Sequence, residues 1–228
     1  MKKKGSLWTV ILAFSLTAML LSGCGAEEQI SKTTTNNAED EAEPAAASTP
    51  EPAAAVTPTD AGAFEYEELN DGTIIITGLK DTTLETMVIP QQIDGKQVTS
   101  IRMDAFRDCS NLISVTIPDS VTSIGDKAFI NCGSLTSVII PDSVTSIGGG
   151  AFGKCRSLTS VTIPDSVTRI LPKTFQDCSS LTVVTIPDSV TFIAPAAFSD
   201  CSSLTTITAP AGSYAEEWAK ENGYSVQN

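Results

Sequence analysis

The sequence predicts an α/β repeat solenoid: short parallel strands stacked coil upon coil, with a β-hairpin closing the N-terminal end and a helix closing the C-terminal end. Three observations carry this expectation. Cys109, Cys132, Cys155, Cys178 and Cys201 each stand 23 residues after the last. Phe106, Phe129, Phe152, Phe175 and Phe198 keep step before them, and Leu112, Leu135, Leu158, Leu181 and Leu204 keep step after them. Ile-Pro recurs at Ile117-Pro118, Ile140-Pro141, Ile163-Pro164 and Ile186-Pro187, then decays to Ala209-Pro210. A fixed period of this length marks a chain built from stacked, near-identical units.

Within a unit, Leu112, Val115 and Ile117 define a short strand with inward apolar residues, and Ser114 and Thr116 face outward. Pro118 ends the strand, having no N–H to donate. Val121 and Ile124 point inward again, and Ala128-Phe129 are expected on a short helical turn that closes the coil. Six large apolar side chains per unit cannot offset the ordering of a lone unit, so neighbours must cover its open faces. Stacking then places strands about 4.8 Å apart in a parallel sheet.

Both ends of such a stack need covering, because an open end exposes apolar surface and strand edges. Residues 64–100 are read as an N-terminal cap with an atypical first repeat. Phe64–Leu69, the turn Asn70-Asp71-Gly72 and Thr73–Thr77 form its hairpin. Met87-Val88-Ile89-Pro90 begins the first coil, and Asp94-Gly95 turns a small loop. The regular repeats occupy 101–210. In 211–228, Ser213 and Glu216 form a capping box opening a helix to about Asn222, with Gly223 as the stop. Tyr214 and Trp218, four apart, are expected to cover the last coil.

Upstream of the cap, Lys2, Lys3 and Lys4 precede an apolar run from Leu7 to Leu21, then Ser22-Gly23-Cys24. A basic start, an apolar stretch and small residues at its end read as a secretory signal over 1–23. The run falls short of the roughly 20 apolar residues of a spanning helix. Leu21-Ser22-Gly23-Cys24 resembles the bacterial lipobox, which implies acylation of Cys24 and a membrane anchor through that lipid. An uncleaved anchor helix is the alternative; both place the rest outside the cytoplasm. Residues 24–63 contain almost no large apolar side chain and carry Pro44, Pro50, Pro52 and Pro58, the pattern of an extended, disordered acidic spacer.

The chain has a formal net charge of −13 and no histidine. An acidic surface repels phosphate backbones, so nucleic acid is not an expected partner. The lack of imidazole removes histidine-based triads and proton shuttles and the commonest metal ligand.

The repeating unit Cys-x-x-Leu-Thr-Ser-Val-Thr-Ile-Pro-Asp-Ser-Val-Thr-x-Ile-Gly-x-x-Ala-Phe resembles the leucine-rich repeat of the Treponema or BspA type over about residues 87–212. That resemblance implies a curved leucine-rich-repeat solenoid on a bacterial surface protein, a role in adhesion to extracellular proteins or cells, and no catalytic residue. The short array is a departure that weakens a multivalent role.

Several side chains are candidates for chemistry. The five cysteines after Cys24 fall within disulfide range of one another if stacked, yet the repeat aims each inward at one depth, which favours free buried thiols. Zinc and redox roles lack a Cys-x-x-Cys clip, and no cofactor is expected. Asp119, Asp142, Asp165 and Asp188 form a column whose neighbouring charges repel by about 0.9 kcal/mol in water. A weak calcium site would relieve this; local turn bonds by the Asp-Ser pairs are the favoured reading. Gly95-Lys96-Gln97 does not make a phosphate loop. The paired acids Glu67-Glu68 and Glu216-Glu217 are expected to face solvent.

The outward strand positions Ser114, Thr116, Ser137, Ile139, Ser160, Thr162, Val183, Thr185, Thr206 and Thr208 offer a hydroxylated face for a protein or glycan. Such residues equally suit any strand that meets water. Ile139, Val183, Arg169 and Phe192 replace small polar residues of sister units and suit partner anchors. The leading functional expectation is a surface lipoprotein that recognises or adheres to an extracellular protein or cell-surface glycan. A structural envelope or self-assembly component without a soluble ligand is the alternative. Enzymatic action on a polymer would require a carboxylate pair in a cleft.

Overall fold

The computed structural model describes residues 57–228. Strand β1 (Phe64–Glu68) pairs antiparallel with β2 (Ile74–Leu79), turning through Asn70-Asp71-Gly72. Strand β3 (Thr86–Val88) opens the first coil, and β4 (Gln92–Ile93) folds back on β5 (Lys96–Ile101) through Asp94-Gly95. Both turn residues have positive φ, 52° and 76°, as a tight two-residue hairpin requires.

Each following coil contributes a longer and a shorter strand. These are β6 (Ser114–Thr116) with β7 (Ser123–Ile124), β8 (Ser137–Ile139) with β9 (Ser146–Ile147), β10 (Ser160–Thr162) with β11 (Arg169–Ile170), and β12 (Val183–Thr185) with β13 (Phe192–Ile193). Strand β14 (Thr206–Thr208), helix α1 (Tyr214–Glu221) and β15 (Ser225–Gln227) complete the chain. Corresponding residues pair in parallel: Val115 with Val138, and Val161 with Val184 and then Ile207. The fold is thus a parallel β-solenoid with the hairpin and helical caps expected.

The unit's apolar positions fill one continuous core. Leu112, Val115, Ile117, Val121, Ile124, Phe129 and Cys132 are all buried, as are their counterparts in later coils apart from the half-buried Val138. Phe106, Phe129, Phe152, Phe175 and Phe198 stack as a column with ring centroids 5.0–5.6 Å apart. Neighbouring Phe rings from Phe129 on lie within 6° of parallel.

Ala128-Phe129 is not helical. The Phe129 N–H donates to the Ala151 carbonyl of the next coil at 2.7 Å, and Phe152 N–H donates likewise to Thr174 at 2.9 Å. These donors are committed between coils, so no i to i−4 bond forms. The turn instead bends through two left-handed residues, such as Lys127 (φ 57°) and Asn131 (φ 63°). The residue before each cysteine is Asp108, Asn131, Lys154, Asp177 or Asp200, all left-handed; four are Asp or Asn, which tolerate that conformation best after glycine.

Two of the three sides of the solenoid are interrupted at one place. The longer strands form one sheet up to β8 and another from β10; the shorter ones form one sheet up to β9 and another from β11. The turn side continues across, with Lys154 N–H donating to Gln176 at 2.7 Å. The residue after the short strand is Gly125 or Gly148 before this seam and Leu171 or Ala194 after it. A Cβ on Gly125 would lie 2.4 Å from the Met103 nitrogen, and one on Gly148 would lie 2.3 Å from that of Asp126. Coils before the seam approach closer than a side chain allows, coils after it do not, and pairing lapses where the offset changes.

Three details differ from expectation at the ends. The spacer does not remain extended to residue 63: Val88 N–H donates to the Thr59 hydroxyl at 2.9 Å and Thr59 N–H to the Val88 carbonyl at 3.0 Å. A 3₁₀ turn, Ala61–Ala63, follows, capped by Asp60. Strand β3 is a sheet edge, and Thr59 satisfies the backbone N–H and C=O of its last residue, Val88. At the other end Trp218 covers Phe198 at 5.7 Å, but its aromatic neighbour is Tyr224, at 5.6 Å, while Tyr214 is exposed. The chain also returns after the helix as β15, which pairs parallel with β14 and extends the sheet. The signal segment, Cys24 and most of the spacer lie outside the described residues.

Candidate recognition surface

The outward positions of the longer strands are set by the same alternation that buries Val115, Val161 and Val184. Ser137, Ile139, Ser160 and Thr162 are exposed; Ser114, Thr116, Val183 and Thr185 are half-buried. Ile139 is 66% exposed, a large apolar residue held outward beside Thr116 of β6. Neighbouring hydroxyls also brace the stack: the Thr136 and Thr182 hydroxyls donate to the Ile113 and Thr159 carbonyls at 3.1 Å.

The structure separates the candidate residues. Arg169 and Phe192 lie on the shorter strands β11 and β13, in a different sheet from the Ser/Thr rows. There the Arg169 guanidinium sits 4.6 Å above the Phe192 ring, so the two departures from the repeat satisfy each other. Val183 lies between Ser160 and Thr206, in the sheet beyond the seam from Ile139.

After the seam the longer strands border a groove of about 450 Å³. Thr162, Thr185 and Thr208 contribute hydroxyls, Pro187 and Pro210 apolar surface, Asp165 and Asp188 carboxylates, and Asn228 a terminal amide. The aspartate column therefore takes part in the groove, with the carboxylates of Asp165 and Asp188 along it. Both carboxylates are exposed and neither accepts a hydrogen bond among the described residues. The serines after the column do not make local turn bonds. Ser143 and Ser189 hydroxyls reach back a coil, donating to the Val121 and Val167 carbonyls at 2.7 and 2.9 Å. Among the described residues no group of three or more acids or cysteines is arranged to hold a metal.

All five repeat cysteines are free and buried. Each from Cys132 onward donates its S–H to the phenylalanine carbonyl of the preceding coil: Cys132 to Phe106 at 3.1 Å, Cys155 to Phe129 at 3.3 Å, Cys178 to Phe152 at 3.1 Å and Cys201 to Phe175 at 3.0 Å. A small apolar residue would fill the space but not make this bond. Burial pushes the thiols of Cys109 and Cys132 up, and that of Cys155 up to about 12.

Glu67 and Glu68 face solvent but are paired, with Arg102 and Lys96. Glu216 is not exposed. It accepts from Gly212 N–H at 2.6 Å, Lys220 Nζ at 2.8 Å and Asn228 Nδ2 at 3.3 Å, while Ser213 caps the helix by accepting Glu216 N–H at 3.2 Å. These bonds, that from Lys220 first, hold its carboxyl down at about 2.

The family profile described as the BspA type leucine rich repeat region matches residues 79–217 in six copies. The chain belongs to this family. Several solved leucine-rich repeat proteins resemble it. The T. pallidum leucine rich repeat protein is 26% identical, covers 75% of this chain and 98% of its own, and superposes with a TM-score of 0.57. A leucine rich cell surface protein from Faecalibacterium prausnitzii is 34% identical and covers 72% of this chain with a TM-score of 0.58. The match spans 41% of that longer protein. No curated protein matches the chain. Leucine-rich repeats of this kind serve in protein interaction, and their stacked coils typically carry no catalytic machinery. Among the described residues no helix is long and apolar enough to cross a membrane.

Proposed function

We propose that the protein is a lipid-anchored module at the bacterial cell surface that recognises or adheres to an extracellular protein or glycan. Cys24 carries the lipid, the acidic spacer lifts the repeats from the membrane, and the longer strands present the binding face. The observation that carries the reading is the uncovered face itself. Among the described residues Ile139 projects from it, and a largely apolar groove edged by hydroxyls and carboxylates runs beside Thr162, Thr185 and Thr208. Those groups suit sugar hydroxyls or a basic protein side chain, and the exposed apolar residue suits a contact anchor. The similarity to a protein described as a cell surface protein supports the placement.

The test is a binding screen of the purified protein against extracellular matrix proteins and surface glycans, alongside Ile139→Asp and Thr185→Arg variants with unchanged circular dichroism. Saturable binding that both variants weaken supports the face; equal binding by all three refutes it. Cys24→Ser is expected to move the protein from the membrane to the soluble fraction, and continued membrane association would refute the lipid anchor.

A further inference from the structure

The coil carrying Gly149, Gly150 and Gly153 lacks three side chains that its neighbours have. Equivalent positions hold Asp126 and Pro172, Lys127 and Lys173, and Ile130 and Gln176. The missing atoms leave a hollow of about 130 Å³ on the turn edge, floored by glycine backbone and walled by Ile130 and Pro172. Lys127, Lys154 and Lys173, from three successive coils, stand around it. The hollow shares no lining residue with the long-strand groove.

Three bases around one hollow are unexpected in an acidic chain. Lys96, Arg102, Arg107, Arg156 and Lys220 are all ion-paired. Lys127, Lys154 and Lys173 enter no ion pair and no side-chain hydrogen bond among the described residues. Asp126 stands beside the hollow, where it accepts the Gly149 N–H at 2.7 Å, and Asp177 pairs with Arg156 at 3.0 Å. The three lysines thus bring three positive charges to the lining of the hollow, against the one carboxylate of Asp126 beside it.

We propose that this hollow binds the phosphate or sulfate ester of a sugar or polyol. Lysine ammoniums act as point charges that suit a tetrahedral oxyanion without demanding a planar partner. The walls of Ile130, Pro172 and the lysine stems accommodate the C–H face of the ring or chain that carries the ester. The glycines keep the space open: a Cβ on Gly150 would lie 3.4 Å from Lys127 Cγ, inside the site.

Calorimetric titration of the purified protein with a glycerol phosphate oligomer and with a sulfated oligosaccharide tests this, using neutral maltose as the control. Binding of either anionic probe, weakened at high salt and absent for maltose, is expected, and the probe that binds identifies the ester. The Lys127→Gln/Lys154→Gln/Lys173→Gln variant should weaken it by roughly tenfold or more. Gly153→Gln, which supplies the side chain found in the next coil, should weaken it without changing charge. Lys80→Gln, remote from the hollow, should leave it within about twofold. Failure of both anionic probes to bind, or an equal loss in Lys80→Gln, overturns the proposal. Either result leaves the long-strand reading intact.

Discussion

Replacing Gly148 with alanine adds one methyl group where the coils nearly touch. The new Cβ would lie 2.3 Å from the Asp126 nitrogen and 2.5 Å from the Gly125 carbonyl carbon, both backbone atoms that cannot swing aside. Relief requires the coils to part, which strains or breaks the bond from Gly148 N–H to the Ile124 carbonyl at 2.8 Å and the pairing of β7 with β9. Overpacking of this kind costs about 1–3 kcal/mol, and the lost hydrogen bond adds about 1 kcal/mol. The stiffer unfolded chain returns about 0.4–1 kcal/mol, leaving a loss of about 1–3.5 kcal/mol. Gly133→Ala is the matched control, because a Cβ there meets nothing within 4 Å. Urea unfolding followed by circular dichroism should show Gly148→Ala clearly less stable and Gly133→Ala unchanged or slightly more stable. Stabilities within about 0.5 kcal/mol of each other would refute the close-approach account of the seam.

Two further outcomes follow from buried groups. Cys132 and Cys155 should resist alkylation at pH 8 in the native protein and react once it is unfolded in urea, because burial keeps both protonated and out of reach; peptide mass analysis showing rapid native labelling would contradict this. Glu216 titrates at about 2 in the folded cap against 4.5 ordinarily, so its contribution is complete above about pH 4.5 and is lost as pH falls towards 2. Thermal unfolding between pH 6 and pH 2 should fall less steeply for Glu216→Gln than for the parent; identical slopes would show that the cap carboxylate is not linked to folding.

The regular part of the fold was legible because stacking repeats its demands. Phe129, Cys132 and Leu135 recur in the sequence since each must meet its own counterpart one coil away. The caps were legible where they carried a local signal, as in Asn70-Asp71-Gly72 and Ser213. Strand β15 was hidden: Tyr224-Ser225-Val226-Gln227 has no repeat signature, and its pairing with β14 depends on where the preceding helix returns the chain. The thiol bonds were also hidden, because a buried cysteine looks like any small apolar residue until the phenylalanine carbonyl behind it is placed. The seam left only a change from Gly125 and Gly148 to Leu171 and Ala194. Outward alternation marks surface residues one strand at a time, so the separation of Arg169 and Phe192 from the threonine rows, and the meeting of Asp165, Asp188 and Asn228, appear only once the coils are assembled.

In-register stacking underlies both the core and the face presented to partners, and paired cysteines read it directly. Thr162 and Thr185 are partners across β10 and β12, and Thr208 lies one coil further on. Adjacent strands lie about 4.8 Å apart, inside disulfide range, whereas alternate strands do not. A Thr162→Cys/Thr185→Cys protein should form an intramolecular disulfide on mild oxidation, and Thr162→Cys/Thr208→Cys should not. Failure of the first pair to close, or equal closure of the second, would contradict the stacked solenoid.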